Sequence, residues 1–334
     1  SSYWLLSAAL LCGLSASAQH DSPKIPKKKF IDASNMDLNY KPGNDFNLYA
    51  SGTWIKNNPV PAKETRWGSF NVLRDFNINA VKNILLEAEN DKTAKPGSVK
   101  RRIGDFYAAG MDSIGIEKLG ASPILPELAK VASATSLEDI ISEAAIMRTQ
   151  GLGSPLFSFY VGQDRKEATK LIAQLGQGGT TLPDRDYYLK ADARTLKIQD
   201  AYKKYITQLF VLSGIMDELA KKNAETIFAI EKALATAQMS RVEMRDPYKT
   251  YNKFSVADFS KTTSNMNWAT LLPKMKVSGQ DTMLVGAPKF FTELNALLVA
   301  TPVADWKTYL QWNVLKTSAP YLSSAFVDAN FAFT

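Results

Sequence analysis

The chain has 334 residues, 45% hydrophobic and 22% charged, with 18 Gly and 15 Pro. That composition excludes disorder, collagen-like structure and low-complexity repeats, and at this length about three quarters of the unfolded surface can be buried without disulfide or metal staples. The formal net charge of +7 comes from dispersed basic residues; there is no basic stripe interleaved with stacking aromatics, so nucleic acid is not an expected partner.

Two single-copy residues narrow the chemistry further. His20 is the one histidine, so neither a two-His or three-His zinc site nor a Ser-His-Asp or Cys-His pair within the folded body can come from this chain alone. Cys12 is the one cysteine, which excludes an internal disulfide and any CxxC motif. Tyr3 to Leu14 is an apolar run of signal-peptide length, followed by Ala16-Ser17-Ala18 before Gln19, a small-x-small cleavage pattern. Residues 1–18 are therefore expected to be a signal peptide, with the mature protein exported, periplasmic or extracellular. A membrane anchor is the competing reading, but the run falls short of the roughly 20 apolar residues that span a bilayer. A lipid-anchored Cys12 is a further alternative, which Leu10 and Leu11 fit poorly. Ser1 and the lack of a basic n-region point to a start inside the gene product. Residues 19–36 hold Pro23, Pro26 and Lys27-Lys28-Lys29 and read as a flexible basic linker.

Beyond the linker, helical periodicity dominates. Pro42-Gly43-Asn44-Asp45-Phe46, then Tyr49, Gly52 and Trp54, read as a turn, a helix capped by Asn44 and aromatics packing into a core. Ile78, Val81, Ile84 and Leu85 recur on one helical face. Thr135-Ser136-Leu137-Glu138 reads as a capping box, with Leu137, Ile140, Ile141 and Ala144 as the stripe that follows. The best strand is Leu156–Val161, bounded by Gly153 and Gly162. Ile198 through Val242 reads as two helices broken at Gly214, with Tyr205, Leu209, Ile227, Ile230 and Leu234 buried. Ser255-Val256-Ala257-Asp258 repeats the capping pattern, and Trp306, Tyr309, Leu310 and Val314 mark a late helix. The expected fold is mainly α, a large multi-helix lobe with a small β component.

Three charged blocks could carry chemistry. Arg66-Trp67-Gly68-Ser69-Phe70 with Leu73-Arg74 sets two guanidinium forks beside aromatic and glycine residues, suited to gripping a carboxylate; two surface arginines at a helix start are the bland alternative. Leu182-Pro183-Asp184-Arg185-Asp186-Tyr187-Tyr188-Leu189 looks at first like a carboxylate pair, but Asp184 and Asp186 fit better as caps of the next helix, paired with Arg185. Arg241-Val242-Glu243-Met244-Arg245-Asp246-Pro247, with Tyr251-Asn252 after it, reads as a charged helix end stopped by proline.

In this order the blocks resemble the amino-terminal half of the neprilysin-like zinc metallopeptidases, family M13, in their bacterial form. Besides the blocks above, the resemblance rests on Ile103-Gly104-Asp105-Phe106-Tyr107 leading to Met111-Asp112 and on Trp306-Lys307 with Tyr309-Leu310, and it runs from about Asp37 to the last residue. It implies that 37–334 is the largely helical amino-terminal domain enclosing a chamber that admits peptides. The family's zinc, held by an HExxH helix and a downstream glutamate, belongs to a carboxy-terminal catalytic lobe. No HExxH occurs in these 334 residues, so no catalytic or metal-ligating residue is assigned, no cofactor is expected in this chain, and the lobe alone is expected to be inactive. The family's arginine that binds the substrate's carboxy-terminal end transfers to Arg66, with Arg74 the weaker candidate beside it. Trp67 replaces the family's usual tyrosine, and Ser51 stands where animal members have a cysteine. Expected partners are peptide substrates and the catalytic lobe, with no stable transmembrane span. The alternative is a non-catalytic peptide-binding or scaffold protein made from an orphaned lobe; a glycan-binding protein, suggested only by the six Trp and 13 Tyr, is remoter because aromatics at helical spacing are more often core.

Overall fold

A computed structural model describes residues 31–334; the signal-peptide reading, His20, Cys12 and the lysine cluster lie outside the described residues. The chain divides into two compact units at Asp112/Ser113.

In the first unit, a 3-10 turn at Ala33–Asn35 precedes α1 (Phe46–Asn57), α2 (Ser69–Asn90) and α3 (Val99–Met111). The cap of α1 is Asp45 rather than Asn44: its carboxylate accepts from the Leu48 amide at 2.9 Å, the N-cap geometry that meets one of the free donors of a first turn. The Thr53 hydroxyl donates to the Met36 carbonyl at 2.7 Å, and the Asp37 amide donates to the Tyr49 carbonyl at 3.0 Å, so the segment before α1 lies along it. Helices α2 and α3 touch where Gly104 meets Ala88; a Cβ on Gly104 would sit 2.4 Å from the Ala88 carbonyl oxygen. The apolar face read on α2 is helical but not covered, since Ile78, Val81 and Ile84 are each more than half exposed.

The second unit has α4 (Ser113–Leu119), α5 (Leu125–Ala132) and α6 (Leu137–Thr149), then strands β1 (Phe157–Gln163) and β2 (Leu171–Gln177). Next come α7 (Asp186–Leu189), α8 (Ala193–Leu212), α9 (Asp217–Ala237), β3 (Asn252–Ser255), α10 (Val256–Thr262), α11 (Trp268–Lys274) and β4 (Thr282–Val285). The unit closes with α12 (Pro288–Ala300), α13 (Val303–Ser318) and α14 (Ser324–Phe333). The fold is mainly α with a small β component. The capping box of α6 is Ser136 with Asp139, one residue beyond the Thr135/Glu138 reading, whereas Ser255 and Asp258 cap α10 as the pattern predicts. Gly214, at φ +96, separates α8 from α9.

The four strands run in the order β1-β2-β4-β3, antiparallel except for the parallel β2–β4 pair. Gly162 lies inside β1, paired with Ile172, rather than bounding it. Buried Phe157, Phe259, Trp268 and Phe291 form edge-on, tilted and stacked ring contacts of 5.2–5.8 Å, packing the sheet against α10, α11 and α12. The Trp268 indole N–H donates to Thr263 Oγ1 at 2.8 Å, as a buried indole requires. Helix α14 returns onto α8, with Phe333 stacked on Tyr205 at 4.7 Å.

Candidate functional site

Arg66 and Arg74 differ in what they have left to offer. Arg66 lies on the loop between α1 and α2, is exposed, and has no hydrogen bond or ion pair among the described residues. Arg74 lies on α2 and is committed: its Nη2 donates to Glu64 Oε1 at 2.7 Å and to Asp75 Oδ1 at 3.0 Å, and its Nε donates to the same Asp75 oxygen at 3.1 Å. Those hydrogen bonds, Glu64 first and Asp75 second, hold the Arg74 guanidinium above its ordinary range. A free guanidinium offers a planar fork of donors to an incoming carboxylate. One already facing two carboxylates does not.

The second and third charged blocks, read separately in the sequence, meet in the second unit. Asp184 accepts from the Asp186 amide at 2.9 Å, as a turn-forming aspartate does, but its ionic partner is Arg241 at 2.6 Å rather than Arg185. Arg185 instead donates to the Gln238 carbonyl, and Asp186 pairs with Lys190 at 2.8 Å. Arg241 also donates to the Pro183 carbonyl at 2.9 Å. The third block is not a helix end: α9 stops at Ala237, and a 3-10 turn at Glu243–Arg245 leads to Asp246, whose carboxylate takes the Tyr248 and Lys249 amides. An open cleft of about 520 Å³ lies at this junction. Its lining mixes Asp184, Asp186 and Asp192 with Lys190, Arg194 and Arg241, so it presents no net charge to select a ligand.

Behind the junction lies a buried polar cluster centred on Glu231. This residue is 0% exposed on α9. Its Oε2 accepts from the Tyr188 hydroxyl at 2.6 Å and the Tyr202 hydroxyl at 2.8 Å, while its Oε1 accepts from Thr181 Oγ1 at 2.7 Å. Tyr188 in turn takes the Thr181 and Leu182 amides at 3.0 and 2.8 Å. Tyr202 takes the Trp312 indole N–H at 3.0 Å, and Lys316 Nζ donates to Thr181 Oγ1 at 2.9 Å. Burial pushes both phenols up, the Glu231 charge pushing the same way, and burial also lowers the Lys316 amine against the pull of Glu231. Glu231 is thus the acceptor that lets two buried phenols and the half-buried Thr181 hydroxyl stay satisfied. One sequence signal marks it: a carboxylate on the apolar face of Ile227, Ile230 and Leu234.

Among the described residues, no group of three or more His, Cys, Asp or Glu side chains is arranged to hold a metal ion. The donor set of these residues does not fit zinc, which takes three protein ligands plus water in catalytic sites.

Comparison with known proteins settles the family. Peptidase family M13 matches residues 42–334. The chain belongs to peptidase family M13. Within that family it corresponds to the amino-terminal domain. It is 28% identical over 310 residues to human endothelin-converting enzyme 1, covering 90% of this chain and 40% of that protein. To the endothelin-converting enzyme homolog of Locusta migratoria it is 29% identical over 316 residues, covering 89% and 43%. The inhibitor complex of the Mycobacterium tuberculosis zinc metalloprotease Zmp1 superposes with a TM-score of 0.81 at 27% identity, covering 91% of this chain and 46% of that one. PepO of Lactobacillus rhamnosis, at 19% identity and a TM-score of 0.71, shares the fold. The chain spans less than half the length of these M13 relatives. No helix among the described residues is long and apolar enough to cross a membrane.

Proposed function

We propose that this M13 chain is the substrate-enclosing amino-terminal domain of an exported zinc metalloendopeptidase acting on peptides, and that Arg66 receives the carboxy-terminal carboxylate of the substrate. The observation that carries the assignment of Arg66 is its exposed guanidinium, unpaired among the described residues, in the Arg-aromatic-Gly block of a family member. On this reading zinc chemistry belongs to an HExxH-bearing lobe that cooperates with this one, since no HExxH occurs in these 334 residues. Peptides are the substrate class, and an exported setting accords with the Tyr3–Leu14 run and the Ala16-Ser17-Ala18 pattern.

The test is reconstitution. The chain combined with an HExxH-bearing carboxy-terminal lobe cleaves short peptides, whereas the chain alone does not. In the reconstituted enzyme, Arg66→Ala lowers kcat/KM for a peptide with a free carboxy terminus by roughly ten- to a hundredfold, the range of a lost charge-assisted hydrogen bond. The same peptide as its amide loses far less. Equal losses on both peptides remove Arg66 from this role, and metal-dependent cleavage by the isolated chain refutes the division of labour.

A further inference from the structure

The loop that carries Arg66 is tied by hydrogen bonds on either side of it and, among the described residues, by none in between. Upstream, the Glu64 amide donates to the Pro61 carbonyl at 2.9 Å, closing a turn, and the Glu64 carboxylate takes Arg74 Nη2 at 2.7 Å. Downstream, the Gly68 carbonyl accepts the Asn71 and Val72 amides at 2.9 and 3.2 Å, which begins α2. Thr65, Arg66 and Trp67 make no hydrogen bond among the described residues. Arg66 therefore takes its place from two anchors, the helix start at Gly68 and the side-chain bond from Arg74 to Glu64. The second anchor is well shaped: Glu64 is 20% exposed and Arg74 45% exposed at the side chain, and Asp75 accepts from two nitrogens of the same guanidinium.

We propose that Arg74 is a positioning residue which, through Glu64, fixes the loop that presents Arg66, and that it does not itself receive the peptide carboxylate. The proposal rests on the reading of Arg66 as the carboxylate's receptor. Electrostatics favours this division between the two arginines. Glu64 and Asp75 together put two negative charges on one positive group, so a further carboxylate arriving at Arg74 meets net repulsion, whereas Arg66 has no such counter-charge among the described residues.

Two readouts on the 334-residue chain separate the possibilities. The first is backbone amide relaxation and hydrogen exchange of Thr65, Arg66 and Trp67, which needs no ligand. Glu64→Ala and Arg74→Ala each increase the mobility of these amides, Glu64→Gln does so less, and the exchanged pair Glu64→Arg with Arg74→Glu restores order. Unchanged amides in both single variants overturn the proposal. The second readout is NMR titration with an acetylated tripeptide as free acid and as amide. Glu64→Ala and Arg74→Ala each reduce the preference for the acid about two- to fivefold, the range of one exposed ion pair, and the double variant loses no more than either alone. A Glu64→Ala chain that binds the acid as well as or better than the parent, beside an Arg74→Ala chain that loses as much as Arg66→Ala, makes Arg74 a direct ligand and overturns the proposal. An Arg66→Ala chain that keeps the preference, with the relaxation results as expected, removes the carboxylate reading of Arg66 and leaves the anchoring of the loop intact.

Discussion

Replacing Glu231 tests the account of the buried cluster directly. The side chain is fully buried and accepts from Tyr188, Tyr202 and Thr181 through hydroxyl bonds of 2.6–2.8 Å. Glu231→Ala leaves two phenols and one threonine hydroxyl without that acceptor and takes the nearby negative charge away from Lys316. A buried donor left unmet costs about 1–3 kcal/mol, and breaking one half of a buried charged arrangement about 3–5 kcal/mol. These contributions overlap, so the expected loss is about 3–5 kcal/mol, a large part of the stability of an ordinary domain. Glu231→Gln keeps the volume and one carbonyl acceptor but turns an NH₂ towards donors; its expected loss is about 1–3 kcal/mol. The assay is urea unfolding of the 334-residue chain followed by tryptophan fluorescence, to which Trp312, bonded to Tyr202, reports from within the cluster. The Gln variant separates a lost acceptor from a simple cavity. If it unfolds at the parent midpoint while the Ala variant does not, packing rather than hydrogen bonding holds this region together, and the reasoning fails.

Acid should weaken the fold through two aspartates. Asp139 is held down at about 2, chiefly by the Thr135 amide and then by Ser136, and Asp164 at about 2, chiefly by the Lys166 amide with Tyr251 and Lys253 assisting against burial. Because these values lie below the unfolded reference of about 3.9, each ionised group stabilises the fold fully above about pH 4 and loses that contribution as pH falls towards about 2. Asp139→Asn and Asp164→Asn should each be less stable than the parent at about pH 6 and show a shallower decline below about pH 4; parallel curves for parent and variants refute this. At the crossing of α2 and α3, Gly104→Ala pushes a methyl into backbone, 2.4 Å from the Ala88 oxygen, whereas Gly110 on α3 has open space around it. Hydrogen exchange of α2 and α3 should therefore accelerate in Gly104→Ala, at an overpacking cost of about 1–3 kcal/mol. It should slow or stay level in Gly110→Ala, which gains up to about 1 kcal/mol of helix propensity. Equal behaviour of the two variants dismisses the close approach.

Much of the helical scaffold was legible because periodicity and caps are local signals. The stripe of α6, the break at Gly214 and the Ser255 cap are each written within a few residues. Errors of one position, Asn44 for Asp45 and Thr135 for Ser136, arose where two capping residues stand side by side. Strands β2, β3 and β4 went unread for a different reason. The last two have four residues each, too few to show a period, and β2 pairs with β4 in parallel across more than a hundred residues of intervening chain. Of the candidate site, the Arg66 block was visible as a pattern, yet nothing local distinguishes Arg66 from Arg74; that difference depends on where Glu64 and Asp75 put their carboxylates. The bond from Arg241 to Asp184 joins residues 57 positions apart, a tertiary fact that neither block announces.

The wholly buried residues described before Ser113 are Gly52, Ala88 and Gly104, none with a side chain larger than methyl. Such residues let backbones approach but withdraw little apolar area from water, so α1, α2 and α3 gain little of the cooperative stabilisation that Trp268, Trp306 and Trp312 supply in the second unit. Heating this chain should accordingly loosen its opening helices well before the rest, and a single melting temperature would describe neither part.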